Sequence, residues 1–333
     1  MKNIGAPINR VLSRFGLKVV QQRKAINESF ELTEHLLRTR CSTDTAERLI
    51  IQCPKYFRSV ISQVLLEHGG FNRQESLLRN ILLSESEYSL VRAEILDCLN
   101  GIQAAELKSF SDGLRKKVED FPQQMRTRYQ REIAYASQLG LPDKSSLTMW
   151  EIASGQGMLS VIAEILGHTA FCSDIGCDKG LYYPGCVVDE WLRIHGYGLK
   201  MSCWFQYNPA MVKTLLLFQV RGQFDIVAFN GLHEFPYQLG STDTDRQQDE
   251  DNFVADQVLN LLALIRPGGI LQIRHNGIFR EFEDDAYRSG RIAHIAEQVS
   301  AIDKCDVIQV GMEPVPVTKW NRQDMSLVLQ KVG

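Results

Sequence analysis

The chain has 333 residues, about twice the ~150 of one ordinary domain, so two domains are expected. Hydrophobic residues at 44% and charged residues at 23% exclude a largely disordered chain. Thirty-seven basic against forty acidic side chains leave a net charge of −3, a poor balance for tracking a phosphate backbone, and no uncharged stretch reaches the ~18 residues of a membrane span.

The N-terminal residues 1–27 carry Lys2, Arg10, Arg14, Lys18, Arg23 and Lys24 and no acid. Ile4, Ile8, Val11, Leu12, Phe15 and Val19 recur at helical spacing, broken by Gly5, Pro7 and Gly16. Such a basic amphipathic start can pack on the protein or on a partner subunit, or touch an anionic membrane surface. No apolar stretch of secretory type opens the chain, and none of the eight cysteines forms a C-x-x-C pair. Reduced, structural thiols, no metal site and a cytoplasmic location are therefore expected, with peripheral membrane contact through residues 1–27 as the alternative.

Residues 28 to about 140 read as helix. Apolar positions in Ala46–Ile51, Val60–Glu67, Glu75–Leu83, Glu87–Leu99 and Gln123–Leu139 return every three or four residues, with breaks expected at Gly69-Gly70 and Pro122. This front part is read as an all-α domain, 1–145, that can serve as a lid, an acceptor surface or a homodimer interface. From about residue 146 the texture changes to short apolar runs of strand length: Leu147–Ala153, Thr169–Ile175, Leu199–Phe205, Phe224–Phe229 and Gly269–Ile273. Helical stretches stand between them at Met158–Leu166, Pro209–Gln219 and Asn252–Ile265, and another at Glu281–Val299 precedes two final runs, Asp306–Met312 and Met325–Gln330. The alternation predicts, over 146–333, an α/β fold: a Rossmann-like, mostly parallel sheet with helices on both faces and a C-terminal antiparallel hairpin.

The informative stretch is Met149-Trp150-Glu151-Ile152-Ala153-Ser154-Gly155-Gln156-Gly157, a strand running into a glycine turn that opens a helix. Glycines let a backbone approach a ligand, and the first βα crevice of an open sheet is a nucleotide site. Asp174 ends the next apolar run, where a carboxylate can accept the hydroxyls of a ribose. A dinucleotide fingerprint would place a third glycine where Ser160 stands, and Glu151 would oppose a pyrophosphate. The acid suits a ligand bearing an ammonium group.

Glu-Ile-Ala-Ser-Gly-Gln-Gly resembles motif I of class I S-adenosylmethionine-dependent methyltransferases. Cys172-Ser173-Asp174-Ile175 resembles the family's second-strand motif, Phe224-Asp225-Ile226-Val227-Ala228-Phe229-Asn230 its fourth strand, and Ile265-Arg266-Pro267-Gly268-Gly269-Ile270-Leu271 its Pro-Gly-Gly lead into the fifth. The resemblance spans about 190 residues and leaves out the helical front. Ala153 departs from it, standing where the family has its first glycine, and no acid ends the third strand, where Gln206 or Asn208 is the substitute. It implies S-adenosyl-L-methionine as cofactor, held by Glu151, Ala153, Ser154, Gly155, Gly157, Asp174, Ile175 and Asn230.

Transfer to oxygen needs a base near the acceptor. The fourth strand leads into Asn230-Gly231-Leu232-His233-Glu234-Phe235, which makes His233 the candidate base and Glu234 its orienting or acceptor-contacting neighbour. His275 and Asn276 follow the fifth strand on the same side of the sheet. The acidic run at 241–251 reads as a solvated loop, with a gate or metal site as the functional option. The function expected is O-methylation of a small-molecule or glycan acceptor, not of nucleic acid, because the charge is balanced and no Asn/Asp-Pro-Pro-Tyr/Phe signature follows the fourth strand. The alternatives are a nicotinamide-dependent oxidoreductase and a non-catalytic scaffold.

Overall fold

The structure is a computed structural model that describes residues 33–152, 154–174, 186–198, 205–206, 221–229, 255–275, 285–302, 305–314 and 323–332. After helical residues 33–40, the front of the chain forms α1 (Thr43–His68), α2 (Glu75–Arg79), α3 (Glu85–Gly101), α4 (Lys108–Thr127) and α5 (Gln130–Gln138). The remainder runs β1 (Thr148–Ile152), α6 (Met158–Ile165), β2 (Thr169–Asp174), α7 (Cys186–Trp191), β3 (Phe205–Gln206), β4 (Phe224–Phe229), α8 (255–264), β5 (Ile265–His275), α9 (Asp285–Ile302), β6 (Cys305–Pro314) and β7 (Gln323–Lys331). No helix among the described residues is long and apolar enough to cross a membrane.

Contacts divide the chain into two compact units. One takes in Met1–Val60, Ile81–Pro122 and Ile175–Leu199, the other Ile61–Asn80, Gln123–Asp174 and Lys200–Gly333. The first is helical and built on an aromatic cluster: Phe57 stands edge-on to Phe121 at 4.7 Å and to Tyr197 at 5.6 Å, all three fully buried. The helix α3 starts on a capping box, in which Ser84 accepts from the Glu87 N–H while Glu87 accepts from the Ser84 N–H.

Pro122 was expected to end a helix and instead lies inside α4. A proline has no N–H for the carbonyl four residues earlier, which strands the oxygen of Val118. The Tyr56 hydroxyl donates to that oxygen at 2.5 Å, so the missing bond is replaced from another helix. A tertiary contact allows what local sequence disfavours.

The second unit holds one seven-stranded sheet in the order β3-β2-β1-β4-β5-β7-β6. The strands β1 to β5 are parallel, and β7 pairs antiparallel with both β5 and β6. This is the expected parallel sheet with its closing hairpin. One face is apolar: Trp150, Ile152, Val227, Phe229, Leu271 and Ile273 bury against Val258, Leu261 and Leu262 of α8 and Ile295 and Val299 of α9. The other face carries α5 and α6 and is polar at one place, described below.

The Pro-Gly-Gly segment was read as a turn ahead of the fifth strand, and it lies within β5. Pairing with β4 begins at Phe224↔Ile265, breaks, and resumes at Ile226↔Ile270, so residues 266–269 form a bulge. Gly268 takes a left-handed φ of 79° there. The motif residue Asp225 fastens the bulge and the strand next door: its carboxylate meets Arg266 at 3.0 Å and accepts from the Thr148 N–H at 2.7 Å.

Candidate cofactor site

The strand order reverses between β1 and β4, and at such a switch point the connections leave opposite faces of the sheet and open a crevice at the carboxyl ends of the strands. The glycine turn after β1 is at that crevice. Gly155 and Gly157 have φ of 56° and 69°, left-handed values that a side chain disfavours. The turn is fixed at both ends, Ser154 N donating to Ser173 O at 2.9 Å and Gly157 N to Ser154 O at 2.8 Å. A Cβ placed on Gly155 would meet nothing within 4 Å among the described residues. Beside it the Ser154 hydroxyl is buried and has no hydrogen-bond partner among the described residues. A buried hydroxyl without a partner among the described residues, next to the exposed Gly155, fits a polar ligand lying on the turn.

Glu151 sits just before the turn and is only 1% exposed. Its Oε2 accepts from the backbone N–H of Ser160 at 2.8 Å and from the Ser160 hydroxyl at 2.6 Å. The arrangement follows from the helix start. Gly157, the N-cap of α6, has no side chain to satisfy the free N–H groups of the first turn, and Ser160 is the third helical residue. Glu151 supplies the missing cap from the strand. Burial pushes its carboxyl up to about 7, against the pull of the two Ser160 bonds and the Arg274 charge.

Ser160 was noted in the sequence only as the absence of a third glycine. Its signal was a hydroxyl one helical turn beyond a glycine N-cap with a buried acid before it. On the second strand, Trp150 Nε1 donates to Ser173 Oγ at 3.0 Å and joins β1 to β2 below the turn. His168 is structural: Leu147 N donates to its Nδ1 at 3.3 Å, which leaves Nε2–H to donate to Leu141 O at 2.8 Å, and burial lowers its pKa so that it stays neutral.

The other expected site residues divide in two. Asp174 and His275 are the last residues of β2 and β5, so both backbones end on the carboxyl side of the sheet. Ala153, Ile175, Asn230, His233, Glu234, Asn208 and Asn276 lie outside the described residues, as do the acidic run 241–251 and the basic start 1–27. Gln206 ends β3, paired in register with Asp174. Cys41, Cys53, Cys98, Cys172 and Cys305 carry no disulfide.

No family model and no curated protein matches the chain. Solved structures do. TrmN from Thermus thermophilus is 13% identical with a TM-score of 0.38, the match covering 60% of this chain and 48% of that one. The magnesium protoporphyrin IX methyltransferase of Synechocystis PCC 6803, solved with bound SAM, is 13% identical with a TM-score of 0.40, over 72% of this chain and 96% of that one. The 16S rRNA (adenine(1408)-N(1))-methyltransferase of Catenulisporales acidiphilia, solved as a point mutant, is 13% identical with a TM-score of 0.37, over 61% and 92%. The chain thus spans about half the length of TrmN.

One expectation is corrected by these neighbours. A nucleic-acid acceptor was set aside on the near-neutral charge, yet an rRNA methyltransferase stands among the similar structures. Net charge sums over the whole surface and says little about one local face, so it gives no ground for that exclusion. The sheet order, the left-handed glycine turn after β1 and the capped helix behind it make this a class I methyltransferase fold.

Proposed function

We propose that the protein is an S-adenosylmethionine-dependent methyltransferase whose cofactor lies across the β1–β4 switch point. The observation that carries this reading is the β1–α6 junction, where Gly155 and Gly157 take left-handed φ and the buried Glu151 caps the helix through Ser160, the residue at the place of a third glycine. An acid here disfavours the pyrophosphate of a nicotinamide cofactor and favours a ligand with positive charge and no phosphate. Ser154 and the turn would hold the methionine portion, and Asp174, at the end of the neighbouring strand, the ribose. When bound, S-adenosylmethionine supplies an electrophilic methyl group on its sulfonium.

The chain's own part is to bind the cofactor, exclude water and take a proton from the acceptor. His233, four residues beyond the end of β4 in the sequence, is our choice for the proton, with Glu234 and His275 as the other candidate catalytic residues. This finer reading, transfer to oxygen, goes with a base whose loss costs about 10²-fold or more. The test is transfer of labelled methyl from S-adenosylmethionine to RNA, protein and small-molecule extracts in parallel. We expect label in one fraction, and in that fraction a loss of at least about 10²-fold for His233→Ala. Full turnover by His233→Ala would refute the base, and no label in any fraction would refute the activity.

A further inference from the structure

The face of the sheet that carries α5 and α6 buries an arginine. Glu151, Ala228 and Gln272 are paired in register across β1, β4 and β5, so their side chains share this face, and Arg274, two residues beyond Gln272, shares it too. Ala228 offers only a methyl between the outer strands, which leaves room for the polar groups on either side of it. Arg274 is 3% exposed. Its guanidinium lies 3.2 Å from the ring centroid of Tyr135 on α5, and Nη2 donates to Gln272 Oε1 at 2.7 Å. Its Nε, also buried, has no partner among the described residues.

A buried guanidinium with an unmet donor is costly, and an apolar side chain would serve packing better. The aromatic stack and the glutamine recover only part of that cost. What the apolar alternative lacks is charge. The charged and titratable groups that act on Arg274 include Glu151 on β1 and Tyr135, Glu132 and Arg131 on α5. Glu132 has a partner in Arg131 at 3.3 Å. At Glu151 the Arg274 charge favours the anion, and the Glu132 charge opposes it.

We propose that Arg274 is a positioning residue for the cofactor site: from its seat on Tyr135 it supplies the counter-charge that keeps Glu151 an anion fixed on the first turn of α6. Arg274 itself stays charged, since burial brings it down only to about 10. The anion matters twice, because it caps the helix that begins at the glycine turn and because it presents negative charge to a cationic ligand. This inference rests on the proposed cofactor reading for its ligand, though not for its electrostatics.

The test titrates S-adenosylhomocysteine into wild type, Arg274→Lys and Arg274→Met between pH 6 and 9, and follows urea unfolding of the ligand-free proteins over the same range and down to pH 4. Arg274→Met is expected to bind about tenfold more weakly at pH 7 and to recover by pH 9, while Arg274→Lys stays within about threefold of wild type. In the ligand-free protein, the pH at which stability stops changing through Glu151 should move up by about one unit in Arg274→Met and little in Arg274→Lys. A loss of binding equal at pH 7 and 9, or an unfolding profile unmoved by Arg274→Met, would overturn the proposal. If wild type fails to bind the ligand, the cofactor reading falls, and the unfolding profiles still decide the role of Arg274.

Discussion

Replacing Gly269 with alanine should destabilise the sheet by about 2–3 kcal/mol, read as a lower urea midpoint with unchanged secondary structure content. The reason is contact and not conformational freedom. A Cβ at this position would stand 2.5 Å from Ile265 Cγ2, 2.7 Å from the carbonyl oxygen of Asp225 and 3.0 Å from that of Arg266. Two of the three are backbone atoms, and they belong to the bulge through which β5 rejoins β4, so the neighbours cannot rotate away. Gly268, next to it, has open space where a Cβ would stand and owes its identity to a positive φ. Alanine at 268 should therefore cost less, about 1 kcal/mol. Equal losses at the two positions would contradict the close approach at 269.

Replacing Glu151 with glutamine should make the protein less sensitive to pH. In the wild type the buried carboxyl titrates at about 7, against its ordinary value of 4.5. Below the ordinary value both folded and unfolded chains are protonated, and Glu151 sets no penalty. Between about 4.5 and 7 the unfolded chain releases the proton while the folded chain retains it, so stability falls as pH rises. Above 7 both are ionised and the loss is complete, about 3 kcal/mol in total. Glutamine keeps an oxygen for both Ser160 bonds and has no proton to lose. Unfolding midpoints at pH 4, 6 and 8 should thus converge toward low pH and separate in favour of Glu151→Gln as pH rises. Parallel profiles would show that the carboxyl does not titrate where burial places it.

These two positions also mark what a sequence reader could and could not see. The strand–turn–helix at Trp150–Met158 and the runs Thr169–Asp174 and Phe224–Phe229 were legible because short apolar runs between helical periods leave few alternatives. Asp225 and Gly269 were legible as motif letters but not as contacts: that one ties Thr148 and Arg266 while the other lies against the Asp225 carbonyl depends on the register of β4 on β5. Pro122 misled because its cost is set by local geometry and its compensation by Tyr56, 66 residues away. The π-helical turn at Leu192–Gly196 after α7 had no signal, since its pattern of bonds shifts by one residue without changing composition. Arg274 stands just past the expected run Gly269–Ile273 and carried no signal of its own. Only the pairing of Gln272 with Ala228 and of Ala228 with Glu151 puts its charge on the same face as the site.

Which ligand the β1–β4 crevice takes is decided most directly by calorimetric titration of the intact protein at pH 8 with S-adenosylhomocysteine and, separately, with NAD. We expect one site for S-adenosylhomocysteine, at least about tenfold weaker in Asp174→Ala, and no heat from NAD. Absence of S-adenosylhomocysteine binding, or binding of NAD in its place, would contradict the proposed cofactor.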